Sequence, residues 1–246
     1  MLTKARIKHL QNLKLKKYRQ NYTEFVIEGD KLITEALVEK ADILLLAATK
    51  PWIGEHKHKI PKHIAVEEVS EKEMEKISSF KTPQAAIALI KIPKQDNKKS
   101  LKKEDWLLVL DGIQDPGNLG TIIRSADWFG VHTIVCSDDC VELYNPKVIQ
   151  ATMGSLFRVE LYYSNIGEFL LQSNKIKYAA TLNGENIFQV NFEKPGILVI
   201  GSESHGIRPE VLKHCTTEIS IPAYGKAESL NAAVATSILL SRIRGG

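Results

Sequence analysis

A chain of 246 residues with 43% apolar side chains can bury sizeable cores, which excludes a disordered polymer and points to one large domain or two. A net charge of +4 is too small to define a partner, and three cysteines without metal-ligand spacing exclude a disulfide-stapled scaffold. No run approaches the roughly 18 apolar residues that span a bilayer, and the charged N-terminus lacks the apolar run of a signal peptide. A soluble, cytoplasmic protein with no membrane partner is therefore expected.

Lys4, Arg6, Lys8, Lys14, Lys16, Lys17 and Arg19 precede the first acidic residue, Glu24. Such an arm suits a phosphate backbone, because each neutralised phosphate releases counterions. The same residues also read as a solvated amphipathic helix with Ile7, Leu10, Leu13 and Lys17 on one face, the commoner meaning of a charge run. Strands are predicted at 24–29, 41–49, 63–69 and 85–91, and helices at 31–40 and 71–80, which makes a small α/β sandwich over residues 1–92. His56, His58 and His63 lie among lysines in a polar loop with no carboxylate or thiol nearby, so no metal site is predicted.

The lysine-dense stretch at 93–105 cannot pack a core and reads as a linker. Beyond it, residues 106–246 alternate strands (106–110, 132–137, 178–182, 197–201 and 218–221) with helical patterns, which argues a parallel sheet. The runs LLVL and ILVI are nearly continuous, as central strands covered on both faces require. Ligands of such sheets sit beyond the carboxyl ends of the strands. There the chain places three polar clusters: Asp111 to Asn118, Gly201 to His205 and Pro222 to Asn231.

Each cluster has a structural and a chemical meaning. Asn118 can cap the helix that follows Pro116-Gly117, and Arg124 on that helix is either a surface partner of Asp127 or a guanidinium fork matched to phosphate. Glu203 emerges after Gly201 among small residues and either caps a helix, pairs with Arg208 or serves a ligand. Ser229 fits a helix N-cap, whose free N–H groups favour an anion. The spacing GNLGTI lacks the third glycine of a dinucleotide loop, which disfavours a nucleotide-dependent α/β enzyme.

DPGNLGTIIRSADWFG, LVIGSESHGI and IPAYGKAESLNAAVA resemble, in order and spacing, the three motifs of the SpoU (TrmH-like) RNA 2′-O-ribose methyltransferases of the SPOUT superfamily. NPKVIQATMGSLFRV from Asn145 is similar to the family's segment between the first two motifs. FVIEGDKLITEAL and TPQAAIAL resemble the RNA substrate-binding domain often fused to them. The resemblance covers nearly the whole chain. It implies an α/β fold: a C-terminal parallel-sheet SPOUT domain with a deep trefoil knot, plus a small N-terminal α/β substrate-binding domain. It also implies a homodimer with the site near the interface. By position, Asn118 and Arg124 match the first motif, Glu203 the second, and Ser229 and Asn231 the third, as catalytic residues. Gly201, Ile221 and Leu230 match positions that bind S-adenosyl-L-methionine, largely through backbone. Ala223 and Ser204 stand where the family often has Met and Gly, which bears on cofactor affinity.

The implied reaction is in-line methyl transfer to a ribose 2′-hydroxyl, with the protein mainly orienting the reactants. Bringing a guanidinium from about 13 to near 7 costs roughly 8 kcal/mol. Arg124 is therefore assigned first to gripping a phosphate and orienting the hydroxyl, with proton acceptance left open. Asn118, Ser229 and Asn231 align the ribose and Arg124, and Glu203 holds a neighbouring donor. A fused recognition domain suits a shape-defined target, so ribosomal RNA is the first expected partner and transfer RNA the second. The alternative is a non-catalytic RNA-binding protein with a relic methyltransferase domain.

Overall fold

The computed structural model describes residues 2–94, 105–192 and 195–245. The linker predicted at 93–105 falls mostly outside them. Along the chain run α1 (Lys4–Asn12), α2 (Lys16–Tyr22), β1 (Glu24–Glu28), α3 (Asp30–Val38), β2 (Ile43–Ala48), α4 (Lys50–His56), β3 (Val66–Glu68), α5 (Glu71–Ile77) and β4 (Ala86–Lys91). Then follow β5 (Leu107–Asp111), α6 (Pro116–Trp128), β6 (Thr133–Cys136), α7 (Pro146–Thr152), β7 (Glu160–Tyr163) and α8 (Ile166–Gln172). The last are β8 (Lys177–Asn186), β9 (Ile197–Gly201), α9 (Pro209–Leu212), β10 (Thr217–Ser220) and α10 (Ala232–Gly245). Contacts divide the chain into two compact units, Met1–Asn97 with Tyr144–Phe157, and Lys98–Leu143 with Arg158–Gly246.

The first unit carries a sheet in the order β1-β4-β2-β3, parallel only between β2 and β3. The basic stretch read as one helix is two. Arg19 is buried, not part of an exposed arm, and donates to the Leu13 and Lys14 carbonyls, both at 2.8 Å. It thereby satisfies acceptors left free where α1 ends. Leu10 and Leu13 are buried as expected, whereas Lys17 faces solvent. The loop expected around His56 begins as α4: Pro51 presets the first turn, and the buried Trp52 and His56 rings stack with centroids 4.2 Å apart. α7 packs against β1 and buries Val148 and Ile149.

The second unit is a six-stranded, wholly parallel sheet in the order β10-β8-β9-β5-β6-β7, one strand more than predicted. The two continuous apolar runs become the adjacent central strands β5 and β9, with Val109 opposite Val199 and Asp111 opposite Gly201. The chain leaves β5 towards β6 on one side and returns as β9 on the other. Their carboxyl ends thus form the crevice where open parallel sheets bind ligands. Between β8 and β10 the register jumps from Ala179 opposite Glu218 to Glu185 opposite Ile219, which frees Ala180 to Gly184 from the ladder. α6 and α10 lie together, joined by the Ser125 and Ser237 hydroxyls at 2.7 Å.

Candidate active site

Three strand ends supply the site. After β5, Gly112 turns the chain at φ +70°, and Asp115, not Asn118, caps α6 by accepting from the Asn118 backbone N at 2.8 Å. That correction leaves the Asn118 side chain available, and its Nδ2 donates to Glu203 Oε1 at 2.8 Å. Glu203 lies in a tight hairpin after β9, closed by reciprocal backbone bonds between Ser202 and Gly206. A Cβ on Gly201 would overlap the Gly206 carbonyl, so only glycine permits this approach.

The third end is that of β10, whose loop leads into the start of α10. Its cap is Asn231 and not Ser229: Asn231 Oδ1 accepts from the backbone N of Ala233 at 3.0 Å and of Val234 at 3.3 Å. Asn231 Nδ2 donates to Asn118 Oδ1 at 2.8 Å and to Glu203 Oε1 at 2.5 Å, and the Ala232 backbone N adds a 3.2 Å bond to the same Glu203 oxygen. One carboxylate oxygen thus takes three donors, at the helix end whose dipole favours negative charge. Glu203 does hold neighbouring donors, and does not pair with Arg208.

Other predicted residues fare differently. Arg124 is exposed on α6 and makes no hydrogen bond or ion pair among the described residues. Its expected surface partner Asp127 instead pairs with Arg158 at 2.9 Å. Ser229 is exposed, with no hydrogen bond among the described residues. The structure therefore unites Asn118, Glu203 and Asn231 and leaves Arg124 and Ser229 outside that network.

A cavity of about 730 Å³ opens beside it, within the size range of ligand sites. Gly201, Ile221 and Leu230 line it, as do Glu203 and Ser229, whereas Asn118, Arg124 and Asn231 do not. The freed segment of β8 forms another wall, where Thr181 Oγ1 is buried without a hydrogen-bond partner. Sequence reasoning missed Thr181. An orphaned hydroxyl in a largely apolar chamber is what a ligand with a flat ring and a few polar groups would satisfy.

Asp111, which opens the first polar cluster at the end of β5, was given no partner by the sequence. It is 1% exposed and is bound by the Arg208 backbone N at 2.8 Å and Nε at 2.7 Å. The hydrogen bond to Asp111, and then the charge of that carboxylate, raises Arg208 above the usual guanidinium value. Alongside, the Ser137 hydroxyl and then the Arg208 charge hold Asp139 below the ordinary carboxylate value. At the end of β6, a hydrogen bond from Cys136, aided by Ser137 and the Ile113 backbone N, lowers Cys140 to about 7, and the same contact raises Cys136. These groups tie the loops after β5, β6 and β9 together. Among the described residues, no group of three or more His, Cys, Asp or Glu is placed to hold a metal, and no helix is long and apolar enough to cross a membrane.

Residues 105–241, which carry all three strand ends, match the model of the SpoU rRNA Methylase family. The chain belongs to that family. Residues 4–88 match the MRM3-like substrate binding domain. Among relatives of this SpoU chain, the 23S rRNA (guanosine(2553)-2′-O)-methyltransferase RlmP of Bacillus subtilis (strain 168) is 29% identical over 98% of the chain and 96% of its own length. A solved TrmH-family protein from Porphyromonas gingivalis is 37% identical, with a TM-score of 0.88 over 100% of this chain and 99% of that one. An AdoMet-bound rRNA methyltransferase from Sinorhizobium meliloti is 29% identical, with a TM-score of 0.88 over 100% and 96% of the two chains.

Proposed function

We propose that this SpoU protein is an S-adenosyl-L-methionine-dependent methyltransferase acting on a ribose 2′-hydroxyl of RNA, with ribosomal RNA as the substrate and transfer RNA the second choice. The observation that carries the reading is the closed network of Asn118, Glu203 and Asn231 beside a ligand-sized cavity walled by the ends of β8, β9 and β10. The cavity supports the cofactor: Gly201, Ile221 and Leu230 would hold it through backbone, with Thr181 Oγ1 as a further polar contact. S-adenosyl-L-methionine supplies a methyl group on a positively charged sulfur.

The protein's part is orientation. Glu203 fixes Asn118 and Asn231; Asn231 spends both N–H groups inside the network, which leaves the second N–H of Asn118 to meet the acceptor. Ser229 at the cavity wall can accept or donate a bond to the ribose. Arg124, free of any protein partner among the described residues, offers its fork to a phosphate. It orients the hydroxyl through the backbone it grips.

Four finer features belong to the same proposal. Trp128 on α6 is 84% exposed and Val234 on α10 is half-exposed, apolar surface that a second copy would cover. A homodimer on this face would bring a partner surface to Arg124, and sedimentation equilibrium tests it. The family's trefoil knot and a cytoplasmic location also belong here. The N-terminal unit is proposed as the RNA-recognition domain.

Mapping ribose methylation across total RNA from cells with and without the gene tests the function. Loss of methylation at one ribosomal nucleotide is expected. Loss at a transfer RNA position would move the substrate to the second choice, and an unchanged map would overturn the reading.

A further inference from the structure

The loop from Pro222 to Asn231, between β10 and α10, has no helix or strand of its own. Within it Tyr224 is 94% exposed, more than any other described large hydrophobic side chain. Its hydroxyl makes no hydrogen bond among the described residues, yet the residue lines the same cavity as Glu203 and Ser229. Trp128, the next most exposed, does not line that cavity. The neighbouring Gly225 has nothing within 4 Å of where a Cβ would stand, so the loop around the ring is open. Lys226 follows, also exposed.

We propose that the Tyr224 ring is the stacking platform for the nucleobase of the nucleotide being methylated. The inference rests on the function proposed above and extends it to the acceptor. The 2′-hydroxyl is on C2′ and the base on the adjacent C1′, so a hydroxyl brought to the Asn118–Glu203–Asn231 network carries its base alongside the cavity that Glu203 and Tyr224 both line. A nucleotide drawn out of its stack to reach the network leaves its base without neighbours. An exposed aromatic face at the mouth replaces the lost stacking, and it tolerates any base because every base has a π-face. A phenol suits the position, since its ring is apolar and its hydroxyl stays in water. Lys226 would meet the phosphate of the same or the next nucleotide.

The test uses the full-length protein, tritiated S-adenosyl-L-methionine and a 23S rRNA transcript. Tyr224→Ala is expected to raise KM for RNA on the order of tenfold, with an unchanged calorimetric Kd for S-adenosyl-L-methionine and an unchanged thermal midpoint. Tyr224→Phe restores the wild-type KM, whereas Tyr224→Leu does not. An unaltered KM in Tyr224→Ala, or rescue by leucine, overturns the proposal. So does a parallel rise in the cofactor Kd, which would put the ring in the cofactor site. Wild-type protein that transfers no methyl group to either ribosomal or transfer RNA removes the underlying function, and the platform with it.

Discussion

Arg208 closes on Asp111 with both its backbone and its side chain: the amide N lies 2.8 Å from Oδ2, and Nε and Nη2 lie 2.7 and 2.5 Å from Oδ1. The pair joins the end of β5 to the segment just after the Glu203 hairpin, so it sets where Glu203 can stand. Arg208→Ala would leave a buried carboxylate without its cation. The expected loss is about 2–4 kcal/mol, less than for a fully buried pair because Arg208 is half-exposed. Urea unfolding with an unchanged slope would measure it, and a loss under about 0.5 kcal/mol would refute the role.

Asp139 gives this cluster a pH dependence. Its folded pKa is depressed, so its contribution to stability is fully present above the unfolded value near 3.8 and is lost as pH falls through the lower folded value. The stability advantage of wild type over Asp139→Asn should therefore shrink between about pH 5 and pH 2. A difference that stays constant across that range contradicts the assignment.

Two glycines near the cavity should behave oppositely. Gly201→Ala drives a methyl group into the Gly206 backbone, which must shift and open the hairpin, whereas a methyl at Gly225 meets nothing. The first change is expected to cost about 1–3 kcal/mol and to weaken S-adenosyl-L-methionine binding in calorimetry. Gly225→Ala should leave the thermal midpoint in place.

Asn231 has two duties that substitution can separate. Asn231→Ala removes the α10 cap, at about 1 kcal/mol, together with the links to Asn118 and Glu203. Asn231→Asp keeps a capping oxygen but replaces the donor by a second carboxylate beside Glu203. Both should lower methyl transfer on the order of 100-fold, while only the alanine variant loses the cap energy. Normal turnover in Asn231→Asp would take the network out of the chemistry.

Arg124 is the complementary case. With no partner among the described residues, Arg124→Ala should change stability by less than about 0.5 kcal/mol. Methyl transfer should fall in Arg124→Ala and also in Arg124→Lys, because an ammonium lacks the planar fork. Near-normal rates in both variants would remove Arg124 from the site.

What the sequence made legible follows from how local the cause was. The central strands β5 and β9 were readable because burial on both faces leaves uninterrupted apolar runs. Three strand ends meeting followed from parallel-sheet geometry, and the family motifs singled out Asn118, Glu203 and Asn231. β7 was missed because ELYY, a four-residue edge strand, alternates weakly and has no long apolar run. The caps were misassigned because Asp115 and Ser229 each compete with an asparagine within three positions, and only backbone geometry decides between them. Asp111 with Arg208, and the unpaired Thr181 hydroxyl, depend on residues distant in sequence meeting in space. No periodicity reports that.

The placement of α7 has a practical outcome for anyone cutting this protein apart. Tyr144–Phe157 belongs with β1 in the first unit although the chain on both sides of it belongs to the second. A fragment starting at Trp106 would keep Val148 and Ile149 but lose the strand that shields them from water. Such a truncation invites aggregation, so loss of activity in it would say nothing about RNA recognition. Point substitutions on the intact polypeptide are the cleaner way to separate recognition from transfer.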